Sequence, residues 1–282
     1  RSIASVLDFE VRGGGDINTI TLIADDDNVT SPDENVTDPD ENVTDPDDTT
    51  VNTTFTTDKE GTYMVELIVN DGTVDSNAST VTVRNVPCMN HNGFDYCPVA
   101  SADTARIWLD RNLGAAQVCN DLEDIACYGD YYQWGRNFDG HQDSSSDTNT
   151  TQAADVDNAG DKFIVENNDW ASTDLNGSTR SANWSKTDGN SICPVGYKVP
   201  TLTELADENI NVTDSFLLLP FAGYRDINGT VGHLDPGAGH LWSSDAGSSL
   251  DSSKSLTYDD RSTYEHEQVM RAIGLSIRCI KK

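Results

Sequence analysis

The chain has 282 residues, with 18 Lys or Arg against 48 Asp or Glu, which gives a formal net charge of −30 at pH 7. This charge argues against nucleic acid as a partner, because nucleic-acid binding needs basic patches that release phosphate counterions, and against docking on anionic membranes. No apolar run approaches the roughly 18 residues that a membrane-spanning helix needs, so no membrane insertion is expected.

The first part of the chain, residues 1–86, has the pattern of a β-domain without Cys or Trp. Apolar and polar residues alternate in 62–70, and the stretches 17–24 and 79–84 are similar in composition. Alternation with period two is typical of strands with one buried face. Short strands separated by polar turns predict a β-sandwich.

An acidic heptad repeat interrupts this part of the chain. Residues 31–48 read SPDENVTDPDENVTDPDD, and between Asp25 and Asp48 there are eleven acidic residues and no Lys or Arg. Proline at every seventh position prevents a helix, and charge repulsion extends the chain. Two interpretations stay open: a solvated loop without fixed structure, or a strip that calcium, glycans or a neighbouring subunit hold in place.

The stretch TTDKEGTYMVELIVNDGTVDSNASTVTV (56–83) resembles the C-terminal half of PKD-type, immunoglobulin-like repeats. TITLIADDDNVTSPDEN (19–35) is similar to their early strand and the Asp-rich loop that follows it. The resemblance implies an all-β immunoglobulin-like sandwich over residues 1–86, with the acidic heptads as an insertion at 25–50.

The rest of the chain carries a series of motifs in a fixed order. They are WLDRNLGA (108–115), GDYYQWGRNFDG (129–140), DKFI and DW (161–170), CPVGYKVPTLTEL (193–205), LPFAGYRDINGT (219–230), LWSS (241–244) and GLSIRC (274–279). This series resembles the Fibrobacter succinogenes major paralogous domain, a family of secreted bacterial domains. The resemblance implies an α+β, C-type lectin-like domain over residues 87–282, with few helices and twisted antiparallel strands, and it says little about function.

Local patterns within that domain predict individual elements. Thr201 and Glu204 form a T-x-x-E capping box, which predicts a short helix over 201–209. The alternation of apolar residues over 271–279 predicts a closing strand. The tryptophans are expected in the core, and a sugar-stacking platform built on Trp108, Trp134 and Trp242 is the alternative.

The six cysteines indicate disulfides, since no pair has the C-x-x-C spacing of a zinc or redox site. The simplest pairing is Cys88–Cys97, Cys119–Cys127 and Cys193–Cys279, and six buried thiols are the alternative. Disulfides imply an oxidising compartment, so we expect an extracellular or cell-surface protein.

N-x-S/T sequons are frequent and predict a glycoprotein, although a bacterial source could leave every site bare. The candidate asparagines are Asn28, Asn35, Asn42, Asn52, Asn77, Asn149, Asn176, Asn183, Asn211 and Asn228.

One stretch, DVDNAGDKFIVE (155–166), follows the spacing of a calcium-binding EF-hand loop. The predicted ligands are Asp155, Asp157, Asp161 and Glu166. Ala159 stands where a fifth ligand is usual, so an accidental spacing is the alternative. The E-P-N, Q-P-D and W-N-D motifs of calcium-dependent lectins are absent, which argues against sugar binding through calcium.

The sequence contains no recognisable catalytic motif, and we predict that the protein is not an enzyme. G-x-S-x-G, P-loop and dinucleotide-binding patterns are missing, and HEQVM (266–270) lacks the second His of a zinc protease. The five histidines, at positions 91, 141, 233, 240 and 266, are scattered and are expected in surface loops.

These features predict a secreted, non-enzymatic structural protein, a self-assembling subunit of an extracellular filament or surface layer. The subunits would join as a homopolymer through the N-terminal strand region, RSIASVLDFEV (1–11). The alternative is a cell-surface adhesin whose lectin-like domain binds glycan or protein, with the loop 225–240 as the rim of the site. Calcium is the one cofactor that these features suggest.

Overall fold

The computed structural model describes residues 19–26, 61–70, 77, 79–85, 87–101, 103–208, 210, 216–232 and 237–282. It divides the chain into two compact units, Arg1–Cys88 and Met89–Lys282. The N-terminal region 1–11 and the acidic stretch 27–50 lie outside the described residues, so the predictions for them are not addressed.

The described residues of the first unit form an antiparallel sheet of three strands. They are β1 (Thr19–Asp26), β2 (Gly61–Asn70) and β3 (Ser79–Asn85), in the order β1-β2-β3. In the register of the sheet, Leu22 lies opposite Leu67, and Val65 lies opposite Val81. The three strands predicted from alternation are therefore confirmed.

In its described residues, the second unit contains many short strands and two short helices. The first strands are β4 (Met89–His91), β5 (Phe94–Tyr96), β6 (Pro98–Ala100), β7 (Ile107–Leu109), β8 (Tyr132–Gln133), β9 (Thr148–Asn149), β10 (Phe163–Ile164) and β11 (Tyr197–Lys198). The later strands are β12 (Tyr224–Arg225), β13 (Val231–Gly232), β14 (Ala238–Ala246), β15 (Ser252–Asp259), β16 (Thr263–Met270), β17 (Gly274–Leu275) and β18 (Ile280–Lys281). The helices are α1 (Ser178–Trp184) and α2 (Leu202–Ala206), and a 3₁₀ turn spans Ile125–Cys127.

Three sheets organise these strands. Two have four strands, in the orders β11-β18-β7-β6 and β13-β12-β17-β8, and one has three strands in the order β14-β15-β16. Two further pairs, β4-β5 and β9-β10, are small. The described part of the chain is thus rich in strand and poor in helix, which confirms the predicted secondary-structure content.

Every tryptophan of the second unit is fully buried, at 0% exposure: Trp108, Trp134, Trp170, Trp184 and Trp242. Each indole N–H has an acceptor inside the protein; Trp134, for example, donates to the carbonyl of Ser243 at 2.9 Å. The prediction of core packing is confirmed. Buried rings cannot serve as an exposed platform for sugars.

Helix α2 begins as predicted. The Thr201 hydroxyl accepts a hydrogen bond from the Glu204 backbone N–H, and the Glu204 carboxylate accepts one from the Thr201 N–H. This reciprocal pair satisfies two backbone donors that the first turn leaves without partners.

The prediction of one closing strand over 271–279 is wrong. The chain pairs in β17 with β8 and β12, and then passes to another sheet, where β18 pairs with β7 and β11. Polar Ser276 and Arg278 are as buried as their apolar neighbours Leu275 and Ile277. The alternation therefore does not separate a buried face from an exposed one.

All six cysteines are disulfide-bonded. The structure pairs Cys119 with Cys127 and Cys193 with Cys279, and the latter pair joins residues that are 86 positions apart. Disulfides indicate an oxidising compartment. No helix among the described residues is long and apolar enough to cross a membrane.

Candidate functional site

The centre of the second unit holds a buried ionic group that we call the arginine cluster: Asp169, Arg180 and Arg271. Arg180 donates two hydrogen bonds to the Asp169 carboxylate, at 2.6 and 2.8 Å, and Arg271 donates a third at 3.1 Å. Both guanidinium groups also lie over the ring of Trp134, at 5.5 and 4.9 Å from its centroid. Arg180 also pairs with the Asp174 carboxylate at 3.2 Å, so two carboxylates and an aromatic face compensate the two guanidinium charges.

Asp169 also lines a pocket of about 590 Å³, which we call the Leu250 pocket. Its walls come from two segments that are distant in the sequence. The lining residues are Gln152, Asn168, Asp169, Ala171, Ser172, Leu175, Leu250 and Asp251.

The residues Arg271 and Ala272 fix both walls of this pocket. Arg271 Nη1 donates to the carbonyls of Leu175 and Leu250, each at 2.8 Å. The backbone N–H of Arg271 donates to the carbonyl of Asp251 at 3.2 Å, and that of Ala272 donates to the carbonyl of Asn168 at 3.1 Å. The pocket is therefore preorganised by a fully buried group.

The lining of the Leu250 pocket combines polar side chains with two aliphatic ones. Asn168 Nδ2 donates to Asp251 Oδ2 at 3.0 Å, and Gln152 Nε2 donates to the carbonyl of Asp169 at 2.8 Å. Leu175 and Leu250 are 51% and 61% exposed. Two large exposed aliphatic side chains therefore lie beside fixed polar groups, which makes this pocket a candidate ligand site.

A second, smaller pocket of about 430 Å³ is the Asp157 pocket. It is lined by Asn137, Asp139, Val156, Asp157, Asn158, Ala159, Gly160 and Asp161. Arg136, buried beside it, donates to Asp139 Oδ2 at 2.9 Å and to the carbonyl of Gly160 at 2.9 Å.

Next to Arg136 lies His141, which is fully buried, so its prediction as a surface-loop histidine is wrong. Its Nδ1 lies 2.5 Å from Asp139 Oδ1, and its Nε2 accepts the backbone N–H of Gln133 at 3.0 Å. Burial lowers the pKa of His141 to about 4, although the hydrogen bond to Asp139 acts in the opposite direction. The ring is neutral at pH 7, and the partners of both nitrogens come from the protein itself.

The predicted calcium ligands are only partly brought together. Asp157 and Asp161 line the Asp157 pocket, whereas Asp155 uses Oδ1 to accept the backbone N–H of Asp157 at 2.9 Å. Glu166 is exposed and does not line that pocket. In the described part of the chain, no group of three or more His, Cys, Asp or Glu side chains is arranged to hold a metal ion. Calcium binding by these four residues stays a prediction.

The loop 225–240, predicted as the rim of a ligand site, begins with an anchor to the core. Arg225 is buried and donates to the carbonyls of Asp143 and Ser146, at 2.9 and 2.7 Å. Residues 233–236 lie outside the described residues. A ligand site with this loop as its rim stays a prediction.

The described sequon asparagines differ in their exposure to solvent. Asn149, Asn176 and Asn228 are exposed, whereas Asn183 is half-buried in α1 and donates its Nδ2 to Asn137 at 2.8 Å. Asn77 is exposed as well. The asparagines outside the described residues are Asn28, Asn35, Asn42, Asn52 and Asn211. Glycosylation at any of the ten stays a prediction.

Strand β16 forms an open edge of the three-stranded sheet. It has eight residues and pairs with β15, and its first six side chains are all exposed. The opposite edge strand, β14, is mostly buried. The outer strands of the two four-stranded sheets, β6, β11, β13 and β8, have only two or three residues.

Sequence reasoning missed the Leu250 pocket, because no motif connects 152–175 with 250–251. One signal was present: Leu250 is the only large apolar residue in the polar stretch 243–255, SSDAGSSLDSSKS.

The chain matches no protein-family model, no curated protein and no solved structure.

Proposed function

We propose that this chain is a secreted, non-enzymatic structural protein that assembles with further copies of itself into an extracellular filament or layer. In this proposal an immunoglobulin-like sandwich precedes a C-type lectin-like domain, and copies join by strand addition at the edge of β16. The donor is the N-terminal region 1–11 of the next copy.

The open edge of β16 is the observation that carries the proposal. A strand at a sheet edge presents a row of unpaired backbone N–H and C=O groups, which is a template for another strand. Strand addition uses those backbone groups for affinity and alternate side chains for specificity. Within the described residues of the second unit, β16 is the long strand with an exposed edge, since the other outer strands are very short or buried.

The side chains on this strand favour a selective partner. Glu265 and Glu267 are exposed, and Glu267 Oε2 lies 2.6 Å from Lys254 Nζ. Charged side chains on an edge suppress indiscriminate pairing, particularly between two copies of the same acidic strand. The region 1–11 carries the apolar residues Ile3, Val6 and Phe9, but its charged residues are Arg1, Asp8 and Glu10, so backbone bonds and apolar side chains rather than charge would join it to β16.

Two further features support a structural role. Disulfides increase durability in an oxidising compartment. Both ring nitrogens of His141 have hydrogen-bond partners within the protein, so neither is free to act as an acid or a base.

The test uses electron microscopy and sedimentation of the purified protein, with a pair of proline variants. Successive residues of an antiparallel strand point their N–H groups to opposite sides. Tyr264→Pro and Glu265→Pro are therefore compared. One of them removes a backbone hydrogen bond to β15, and the other removes an N–H that points away from β15, towards the open edge. The variant with the unchanged melting temperature identifies the outward position.

We expect the wild-type protein to form assemblies and the outward proline variant to remain monomeric. A calcium chelator, added to both proteins, separates strand addition from calcium bridging. If the assemblies dissolve on chelation, calcium bound by carboxylates, and not strand addition alone, holds the copies together. Monodisperse wild-type particles in every condition, or assemblies that persist in the outward variant, would refute assembly through β16.

A further inference from the structure

We infer that the Leu250 pocket is a binding site for a neutral saccharide residue. This inference goes beyond the assembly role, and it rests on residues that strand addition does not use.

The pocket has the size and the rigidity that a small-ligand site needs. It is an open depression of about 590 Å³, against which one sugar ring can lie with its other face in solvent. Both walls are bonded to Arg271 or Ala272, and Arg271 is fully buried. A ligand therefore does not have to order these loops on binding, and the entropic cost of association is lower.

The polar lining matches a set of neighbouring hydroxyl groups. Asn168 and Asp251 are held side by side by their mutual bond, and among the described residues the Oδ1 atom of each accepts no hydrogen bond. Gln152 is fixed through its Nε2, which leaves Oε1 as a third acceptor. Hydroxyl groups donate well to such amide and carboxylate oxygens, and the geometry is fixed beforehand.

The two leucines match the apolar C–H face of a sugar ring. Leu175 and Leu250 are largely exposed, although their backbones are fixed by bonds to Arg271. The C–H groups of a pyranose ring are apolar, so packing them on these side chains removes aliphatic surface from water.

Charge selects a neutral ligand. An anion would approach Asp251 within a chain of net charge −30, which is unfavourable. The charge of Asp169 is already compensated by two guanidinium groups, so this carboxylate would not bind a further cation. A small cation would pair with Asp251 alone and would leave both leucines exposed.

Saturation-transfer NMR on the full chain tests the inference. The probes are the methyl glycosides of glucose, galactose, mannose and N-acetylglucosamine at millimolar concentration, with methylammonium as a cationic control. The variants are Asp251→Ala and Leu250→Ala. Asp157→Ala, which alters an exposed carboxylate in the Asp157 pocket, is the matched control.

We expect at least one glycoside to receive saturation from the wild-type protein. Its affinity should fall at least tenfold in Asp251→Ala and in Leu250→Ala, and stay unchanged in Asp157→Ala. Near-ultraviolet circular dichroism checks that each variant is folded. The inference is overturned if no glycoside binds, if both pocket variants bind as the wild type does, or if methylammonium alone binds.

Discussion

At the scale of single residues, buried arginines hold the loops of the second unit together. Arg225 and Arg278 are fully enclosed and donate mainly to backbone carbonyls, such as that of Leu217 at 2.7 Å from Arg278 Nη1. Burial lowers the pKa of Arg278 to about 10, so the group is still charged at pH 7. Loop carbonyls have no ladder partners, and a guanidinium with five donors satisfies several of them at once.

Asp169 is the residue whose loss should be most damaging. In Asp169→Asn, Arg271 loses its carboxylate partner and Arg180 keeps only Asp174, and breaking a buried ion pair in this way costs about 3–5 kcal/mol. Urea unfolding followed by tryptophan fluorescence measures this, since all five tryptophans lie in the second unit.

The matched control is Asp157→Asn, which also removes one carboxylate, but from an exposed position. Its free energy of unfolding should stay within about 0.5 kcal/mol of the wild type. Equal effects of the two substitutions would show that the arginine cluster does not stabilise the fold.

His141 should make stability depend on pH. Its pKa is lowered from 6.5 to about 4 in the folded protein, chiefly by burial. Between these values the unfolded chain binds the proton and the folded chain does not. The contribution is therefore present above pH 6.5 and is lost as the pH falls towards 4. At pH 4.5 the loss amounts to about 2–3 kcal/mol.

The measurement compares the wild type with His141→Gln by urea unfolding at pH 7 and pH 4.5. The wild-type advantage should shrink by about 2–3 kcal/mol at the lower pH. Asp130 acts in the opposite direction, since burial raises its pKa to about 6, but this effect is common to both proteins and cancels. An advantage that is independent of pH would contradict a neutral buried His141.

At the scale of elements, α2 depends on its capping box. Thr201→Ala removes the acceptor for the Glu204 N–H, which should lower the free energy of unfolding by about 1 kcal/mol. Thr201→Ser keeps the hydroxyl and is the control. The same fluorescence-detected unfolding measures both, and an equal loss in the two variants would assign the effect to the missing methyl group.

Elements whose signal is local could be predicted from the sequence, and those that depend on distant contacts could not. The cap of α2 and the alternation in β2 are properties of a few neighbouring residues. The strand is broken between β17 and β18 because the chain passes there from one sheet to another. In the sequence, Arg278 looks like a residue on the exposed face of an alternating strand, but it is buried. The Leu250 pocket depends on Arg271, which bonds to Leu175 although the two residues are 96 positions apart in the sequence.

At the scale of the whole molecule, the strong negative charge opposes self-association. Every copy carries a net charge of −30, so two copies repel each other until salt screens the field. The screening length falls from about 30 Å at 0.01 M ionic strength to about 10 Å at 0.1 M. Assembly through β16 uses backbone bonds over a short range, which salt weakens much less than it weakens the repulsion.

Sedimentation velocity at increasing NaCl should therefore show monomers at low ionic strength and larger species at high ionic strength. The outward proline variant of β16 should remain monomeric throughout, because its edge cannot form the ladder. CaCl₂ at matched ionic strength shows whether the carboxylates bind calcium, since screening alone gives equal curves for the two salts. Species that dissociate as NaCl rises would mean that ion pairs between copies, and not an open strand edge, hold the assembly together.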